Sequence, residues 1–321
     1  MRALPDIDYD AHPAYEAFRA EAPERREEAL ARLSPVLESK RRGLARVAEV
    51  FASRTASAAD ATTDELARRG AVGIKAPETL LGPVRFAASP LLEELATLQI
   101  NRRAKGKALK FQHTQADLRI DGEWTKAADQ CAAPIEALIA GSSVMEIART
   151  YYPGHSARLH SACLRRNFEN QQFFSRSDGA DNPKTIGMHI DSAVNASLNG
   201  VIYLSEVGLE QGPFQYVEGS NHWDWDLDDR AIRKAVDEVR FPHGGDPVFL
   251  GLPPEFRRRG NFGVDLPDET PASAALLSQE ITFCSNACDL VLFDSDGVHR
   301  GGNVRAGLRS SILFVMAIEP T

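Results

Sequence analysis

The sequence predicts a mainly β domain, a sandwich or barrel, preceded by an α-helical N-terminal region. Three observations carry this. From about residue 157 onward, apolar and β-branched runs are short and separated by Gly, Pro, Asn and Asp. The first sixty residues are instead charge-rich, with leucines at helical spacing. No GxGxxG, P-loop or internal repeat occurs, so a nucleotide-binding parallel sheet lacks its usual support.

Taken in order, residues 24–51 place Leu30, Leu33, Leu37, Leu44, Val47 and Phe51 on one helical stripe. Pro35 predicts two helices or a kink there. Residues 53–60 are small and polar and read as a connector. Residues 63–70 read as a short capped helix ending at Gly70. Further helices are expected at 90–98 and 134–150. Strands are expected at 157–167, 185–193, 200–205, 214–218, 289–293 and 309–318. Asn199-Gly200 and Gln211-Gly212-Pro213 read as turns. Between about 223 and 280 the strand rhythm lapses into a stretch with Trp223 and Trp225, a helix-like charged piece and Arg257-Arg258-Arg259. It reads as a loop insertion, of a kind that often serves as a lid or binding surface. The expected organisation is a helical extension over 1–62 packing on a core domain over 63–321.

The 321 residues are 43% hydrophobic, enough for a sizeable core, and carry a net charge of −8. That charge argues against nucleic-acid binding. No apolar run of 18 residues predicts a membrane span, and the first residues carry no apolar signal segment. Four cysteines, Cys131, Cys163, Cys284 and Cys288, form no disulfide framework, so a cytoplasmic location is expected. Cys284 and Cys288 do not match zinc-knuckle spacing and read as small buried side chains.

Two segments 110 residues apart carry the chemistry. The first is Gly187-Met188-His189-Ile190-Asp191. The second is Asp296-Gly297-Val298-His299-Arg300-Gly301-Gly302-Asn303, followed by Arg305 and Arg309. In a strand, positions i and i+2 share a face, so His189 and Asp191 would stand side by side. A third ligand must then come from another strand, which His299 supplies. Two imidazoles and one carboxylate on one face leave open positions suited to Fe(II). An arginine about ten residues beyond His299 is placed to take the carboxylate of an organic co-substrate.

The chain resembles the phytanoyl-CoA dioxygenase-like family of Fe(II)/2-oxoglutarate-dependent oxygenases. The matching segments are 66–74, 187–191, 199–222 (with Gly212-Pro213-Phe214 and Gly219-Ser220-Asn221-His222) and 298–309. The likeness covers about residues 63–321 and is poor inside 223–280. It implies a double-stranded β-helix (jelly-roll, cupin-like) core. It also implies Fe(II), 2-oxoglutarate and O2 as cofactor and co-substrates, with ascorbate as an in vitro reductant. The resemblance makes His189, Asp191 and His299 the catalytic metal ligands and Arg309 the residue gripping 2-oxoglutarate, with Arg305 as the competitor. Two places after His299 the family often has a hydroxyl residue. This chain has Gly301, so Ser311 is the candidate replacement, with Ser192 and Asn195 as further co-substrate contacts. His222 reads as a turn residue. The aspartate at 191, where a halogenase would carry a small residue, points to hydroxylation, with desaturation, ring closure and epimerisation open.

The expected partner is a small-molecule substrate, such as a specialised metabolite. The N-terminal helices are candidates for a homodimer contact. The basic runs at 102–110 and 257–259 are candidate contacts for an anionic group. The alternative reading is a cupin-like metal-dependent isomerase, hydrolase or small-molecule binding protein without 2-oxoglutarate, which leaves Arg309 with no role.

Overall fold

A computed structural model describes residues 23–107, 109, 111–169, 184–185, 187–191, 194–223, 226–240 and 268–320. Helix α1 (Pro23–Arg46) runs unbroken through Pro35, and the chain breaks instead at Val47, before α2 (Ala48–Ser53). Of the two readings at Pro35, division into two helices is excluded, since one continuous helix crosses it. Leu33 and Leu37, on either side of the proline, are both buried in one apolar cluster with Ala231, Ile232, Ala235 and Val236. That packing carries the helix across the missing amide hydrogen bond. Helix α3 (Ala61–Arg69) is capped as expected at its C-terminus by left-handed Gly70, while Asp60 caps its N-terminus through the Thr63 amide.

Helix α4 (Glu78–Ala104) is longer than the expected 90–98, and the expected helix at 134–150 divides into α5 (Asp129–Gly141) and α6 (Val144–Tyr151). Ser143, with φ of 61°, turns the chain between α5 and α6. Among the described residues no single helix is long and apolar enough to cross a membrane.

Short strand β1 (Ala71–Ile74) follows α3; β2 (Gln115–Ile120) and β3 (Glu123–Trp124) follow α4. Then come β4 (His155–Phe168), β5 (Ser197–Tyr203), β6 (Phe214–Val217), helices α7 (Leu227–Arg240) and α8 (Pro271–Leu277), β7 (Glu280–Phe283), β8 (Leu290–Asp294), β9 (His299–Gly301) and β10 (Leu308–Pro320). The larger sheet has the order β1-β8-β5-β10-β4-β2-β3, and the smaller has β7-β6-β9. His189 pairs with His299 and so extends the smaller sheet beyond β9. From β4 onward the chain passes between the two sheets, β4 large, His189 small, β5 large, β6 and β7 small, β8 large, β9 small, β10 large. All these pairings are antiparallel. This is a double-stranded β-helix.

Side-chain alternation assigns the two faces of the large sheet. Ile312, Phe314, Met316, Leu198, Ile202 and Leu164 join the main core with α4, α5 and α6. The opposite face, lined by Tyr203, Val201, Val291 and Phe293, packs inside the barrel against Phe214, Tyr216 and Phe283 of the small sheet. By the same parity Arg309, Ser311 and Leu313 of β10 face the barrel interior.

Two readings of the sequence are corrected here. Among the described residues of the 185–193 segment there is one bridge, at His189, and no ladder, and Gly187 takes a left-handed φ of 76°. Asn199-Gly200 is not a turn but the middle of β5, where a Cβ on Gly200 would overlap the Phe314 ring. The glycine is required by the close approach of that ring, not by a bend. The Gly212 turn is as expected, with φ of 64° and the Gly302–Asn303 backbone against it.

Candidate metal centre

His189, Asp191 and His299 come together, with donor atoms within 4.8 Å of one another. His189 Nε2 lies 3.8 Å from Asp191 Oδ1, and His299 Nε2 lies 3.4 Å from Asp191 Oδ2. Both separations fall within the roughly 4 Å that two metal–donor bonds of about 2.1 Å can span. The two histidine backbones hold each other through reciprocal amide–carbonyl bonds of 2.9 Å.

Each imidazole is oriented by its other nitrogen. His189 Nδ1 donates to the Gly187 carbonyl at 2.7 Å, and His299 Nδ1 donates to the Gly297 carbonyl at 2.9 Å. A carbonyl only accepts, so Nδ1 carries a proton in both rings and Nε2 is the nitrogen turned toward Asp191. His299 is packed by Phe293 (centroids 4.7 Å), Phe214 (5.6 Å) and Tyr216 (6.3 Å, nearly parallel), which fixes its ring. Burial pushes the Asp191 carboxyl up. The His299 and His189 imidazoles and the Asn199 amide more than offset this and hold it well below the usual carboxylate range. The donor set is two imidazole Nε2 nitrogens and one carboxylate, which fits a divalent transition metal that displaces any Nε2 proton.

Asn199 was not foreseen from the sequence. Its amide donates to Asp191 Oδ2 from the inner face of β5. An uncharged polar residue inside an otherwise apolar strand was the available signal, and the turn reading of Asn199-Gly200 concealed it.

The two candidate arginines differ in burial. Arg305 is exposed, and its backbone amide binds the Glu210 carbonyl. Arg309 is 9% exposed and projects beside β9, where its guanidinium donates to the Gly302 carbonyl at 3.0 Å and to Asn167 at 3.4 Å. Among the described residues no carboxylate pairs with it. Burial pushes its guanidinium down to about 10, with Tyr203 acting to raise it and Arg165 to lower it. A Cβ at position 301 would lie 3.1 Å from Arg309 Nη2, so Gly301 makes room for the guanidinium two residues past His299.

Ser311 is buried on the same face as Arg309. Ser192 lies outside the described residues, as do Trp225 and Arg257–Arg259. Asn195 packs against α1, where a Cβ on Gly43 would overlap its amide. His222 stays out of the cluster and donates to the Ala67 carbonyl, as a turn residue should. Trp223 is core, packed with Met188, Ile190 and Val298 of the ligand segments and with Val217.

Behind the ligands lies a buried ion cluster. Arg54 contacts Asp296 at 2.6 Å and Asp294 at 3.3 Å, and Arg230 also pairs with Asp296. Tyr151 donates to Asp294 at 2.7 Å. Removing one partner of a buried ion cluster costs about 3–5 kcal/mol. Arg54→Met is therefore expected to lower the unfolding free energy by about that amount in urea melts. A change below about 1 kcal/mol would show that Arg54 does not anchor the N-terminal helices to the barrel.

No protein-family model and no curated protein matches the chain. Among solved structures it is similar to the "non-heme alpha ketoglutarate dependent carbocyclase SnoK from nogalamycin biosynthesis". That likeness has 15% identity and a TM-score of 0.46, covering 82% of this chain and 84% of that one. It is also similar to EctD from S. alaskensis, solved with 2-oxoglutarate and 5-hydroxyectoine (14%, 0.45, covering 84% and 80%). A third is the epimerase SnoN (13%, 0.44, covering 80% and 81%). At these identities and TM-scores the likeness lends no weight to an activity, which rests on the side chains themselves.

Proposed function

We propose that the chain is a non-haem Fe(II)- and 2-oxoglutarate-dependent oxygenase that hydroxylates a C–H bond of a small molecule. The observation that carries this reading is the convergence of His189, Asp191 and His299 on the barrel interior, beside a buried arginine that has no carboxylate partner among the described residues. His189, Asp191 and His299 would hold the iron. Bound iron supplies the reaction with O2 that oxidatively decarboxylates 2-oxoglutarate to succinate and CO2 and oxidises the substrate.

The chain's own task is placement. Arg309 would grip the far carboxylate of 2-oxoglutarate with a planar donor pair that is charged at neutral pH. Ser311, two residues on and facing the same interior, is the candidate second contact in place of the hydroxyl that Gly301 cannot offer. Phe214, Tyr216 and Phe293 wall the His299 side and exclude water from it. The insertion over 223–280, of which α7 and α8 are described, is the proposed source of substrate contacts.

The test is succinate release by the purified chain with Fe(II), ascorbate and 2-oxoglutarate over a substrate panel. Turnover that requires 2-oxoglutarate supports the reading. Tight Zn(II) retention with no 2-oxoglutarate consumption and no thermal stabilisation by it would favour the non-oxidative cupin-like alternative.

A further inference from the structure

The insertion helix α7 reads as a charged surface helix, yet Lys234 within it is wholly buried. Its ammonium has three protons to place and meets three acceptors. These are the Asp191 carbonyl at 2.9 Å, the Val194 carbonyl at 3.4 Å and the Asp296 carboxylate, whose Oδ1 lies 2.9 Å away in ion contact. Asp296 is fully buried and is also met by Arg54 and Arg230. A buried ammonium is expensive, and an apolar side chain of the same volume would often stabilise the fold as well or better.

What the ion contact adds is geometry. Asp191 lies in one ligand-bearing segment, and Asp296 lies in the other, three residues before His299. On one side the two segments are joined by the His189–His299 backbone bridge and by the Asp191 amide donating to the Ser295 carbonyl at 3.1 Å. On the other side Lys234 is bonded to both at once. We propose that Lys234 is a positioning residue of the metal centre: from the insertion helix it clamps the Asp191 segment to the Asp296–His299 segment and so sets the spacing of the ligands. The proposal rests on the metal-centre reading above. It makes the placement of α7 a determinant of metal binding, although α7 contributes no ligand.

Lys234→Met leaves Asp296 paired with Arg54 and Arg230, so the fold is expected to survive. The experiment is Co(II) titration of the metal-free full-length chain, read by ligand-field absorbance, with circular dichroism and thermal melts alongside. Asp191→Ala is expected to abolish the Co(II) band. Lys234→Met is expected to weaken Co(II) binding about 10- to 100-fold, as loss of a ligand-orienting partner does, and to alter the band shape. Lys234→Gln, which keeps N–H donors, is expected to fall between Lys234→Met and the native chain; it carries the test alone if the methionine variant does not fold. A lysine that merely fills space would lower the melting temperature and leave Co(II) affinity and band shape native, and that result in either variant overturns the proposal. Native Co(II) binding by Asp191→Ala would instead overturn the metal-centre reading, so the two failures are distinguishable.

Discussion

Asp191→Ala is expected to abolish iron binding and turnover while leaving the barrel folded. Loss of a residue that only orients a ligand costs about 10- to 100-fold in metal affinity, so loss of a ligand itself should cost more than about 100-fold. The fold is expected to tolerate the change because the other two ligands are held independently. His189 and His299 are tied by their Nδ1 bonds to Gly187 and Gly297 and by the mutual backbone bridge, none of which uses the Asp191 side chain. Asn199 loses its hydrogen bond to the carboxylate, and His189 and His299 lose their Nε2 contacts with it, while their Nδ1 and backbone bonds remain. Iron affinity by equilibrium dialysis and succinate production check the expectation together. Affinity within threefold of native would remove Asp191 from the ligand set.

Arg309→Met is expected to separate co-substrate binding from stability. Truncating one partner of a buried, hydrogen-bonded charge pair costs about 2–5 kcal/mol. The KM for 2-oxoglutarate should therefore rise by tens to a few thousandfold, with iron affinity unchanged. The apo chain should respond in the opposite sense. Burial holds the Arg309 guanidinium near 10, below its ordinary value, so keeping it charged at neutral pH opposes folding until an anion arrives. The metal-free Arg309→Met chain is thus expected to melt at or above the native temperature, and to lose the stabilisation that 2-oxoglutarate gives the native chain. A lower apo melting temperature with an unchanged KM would make Arg309 structural. The Arg305 counterpart, exposed on the surface, is expected to leave both quantities near native.

The sequence shows clearly those parts of the fold where periodicity and burial agree. The strands at β4, β6, β8 and β10 were legible because their apolar residues are buried in a barrel closed by neighbours of like composition. His189, Asp191 and His299 were legible because a facial ligand set has few spacings available. The misses have local physical causes. Pro35 failed to break α1 because Leu33 and Leu37 are pinned to α7 on both sides of it. Asn199-Gly200 mimicked a turn because a Phe314 ring requires a glycine in mid-strand, and Asn199 serves a carboxylate rather than a bend. The bounds of β9 are not legible, although a strand at His299 is expected, because His299–Gly301 is three residues long and ends in glycine, and its pairing with β6 is what makes it a strand. The roles of Arg230 and Lys234 were illegible because charged residues at i and i+4 ordinarily mark a wet helix face. Only the tertiary structure turns that face onto Asp296.

The central claim is that one barrel interior holds iron on His189, Asp191 and His299 and a 2-oxo acid on Arg309. Its most direct test is anaerobic addition of 2-oxoglutarate to the Fe(II)-loaded chain, followed by visible absorption. A metal-to-ligand charge-transfer band that saturates with 2-oxoglutarate, and that Arg309→Met shifts to higher concentration, is the predicted result. A chain that binds Fe(II) but gives no such band at saturating 2-oxoglutarate would contradict the account.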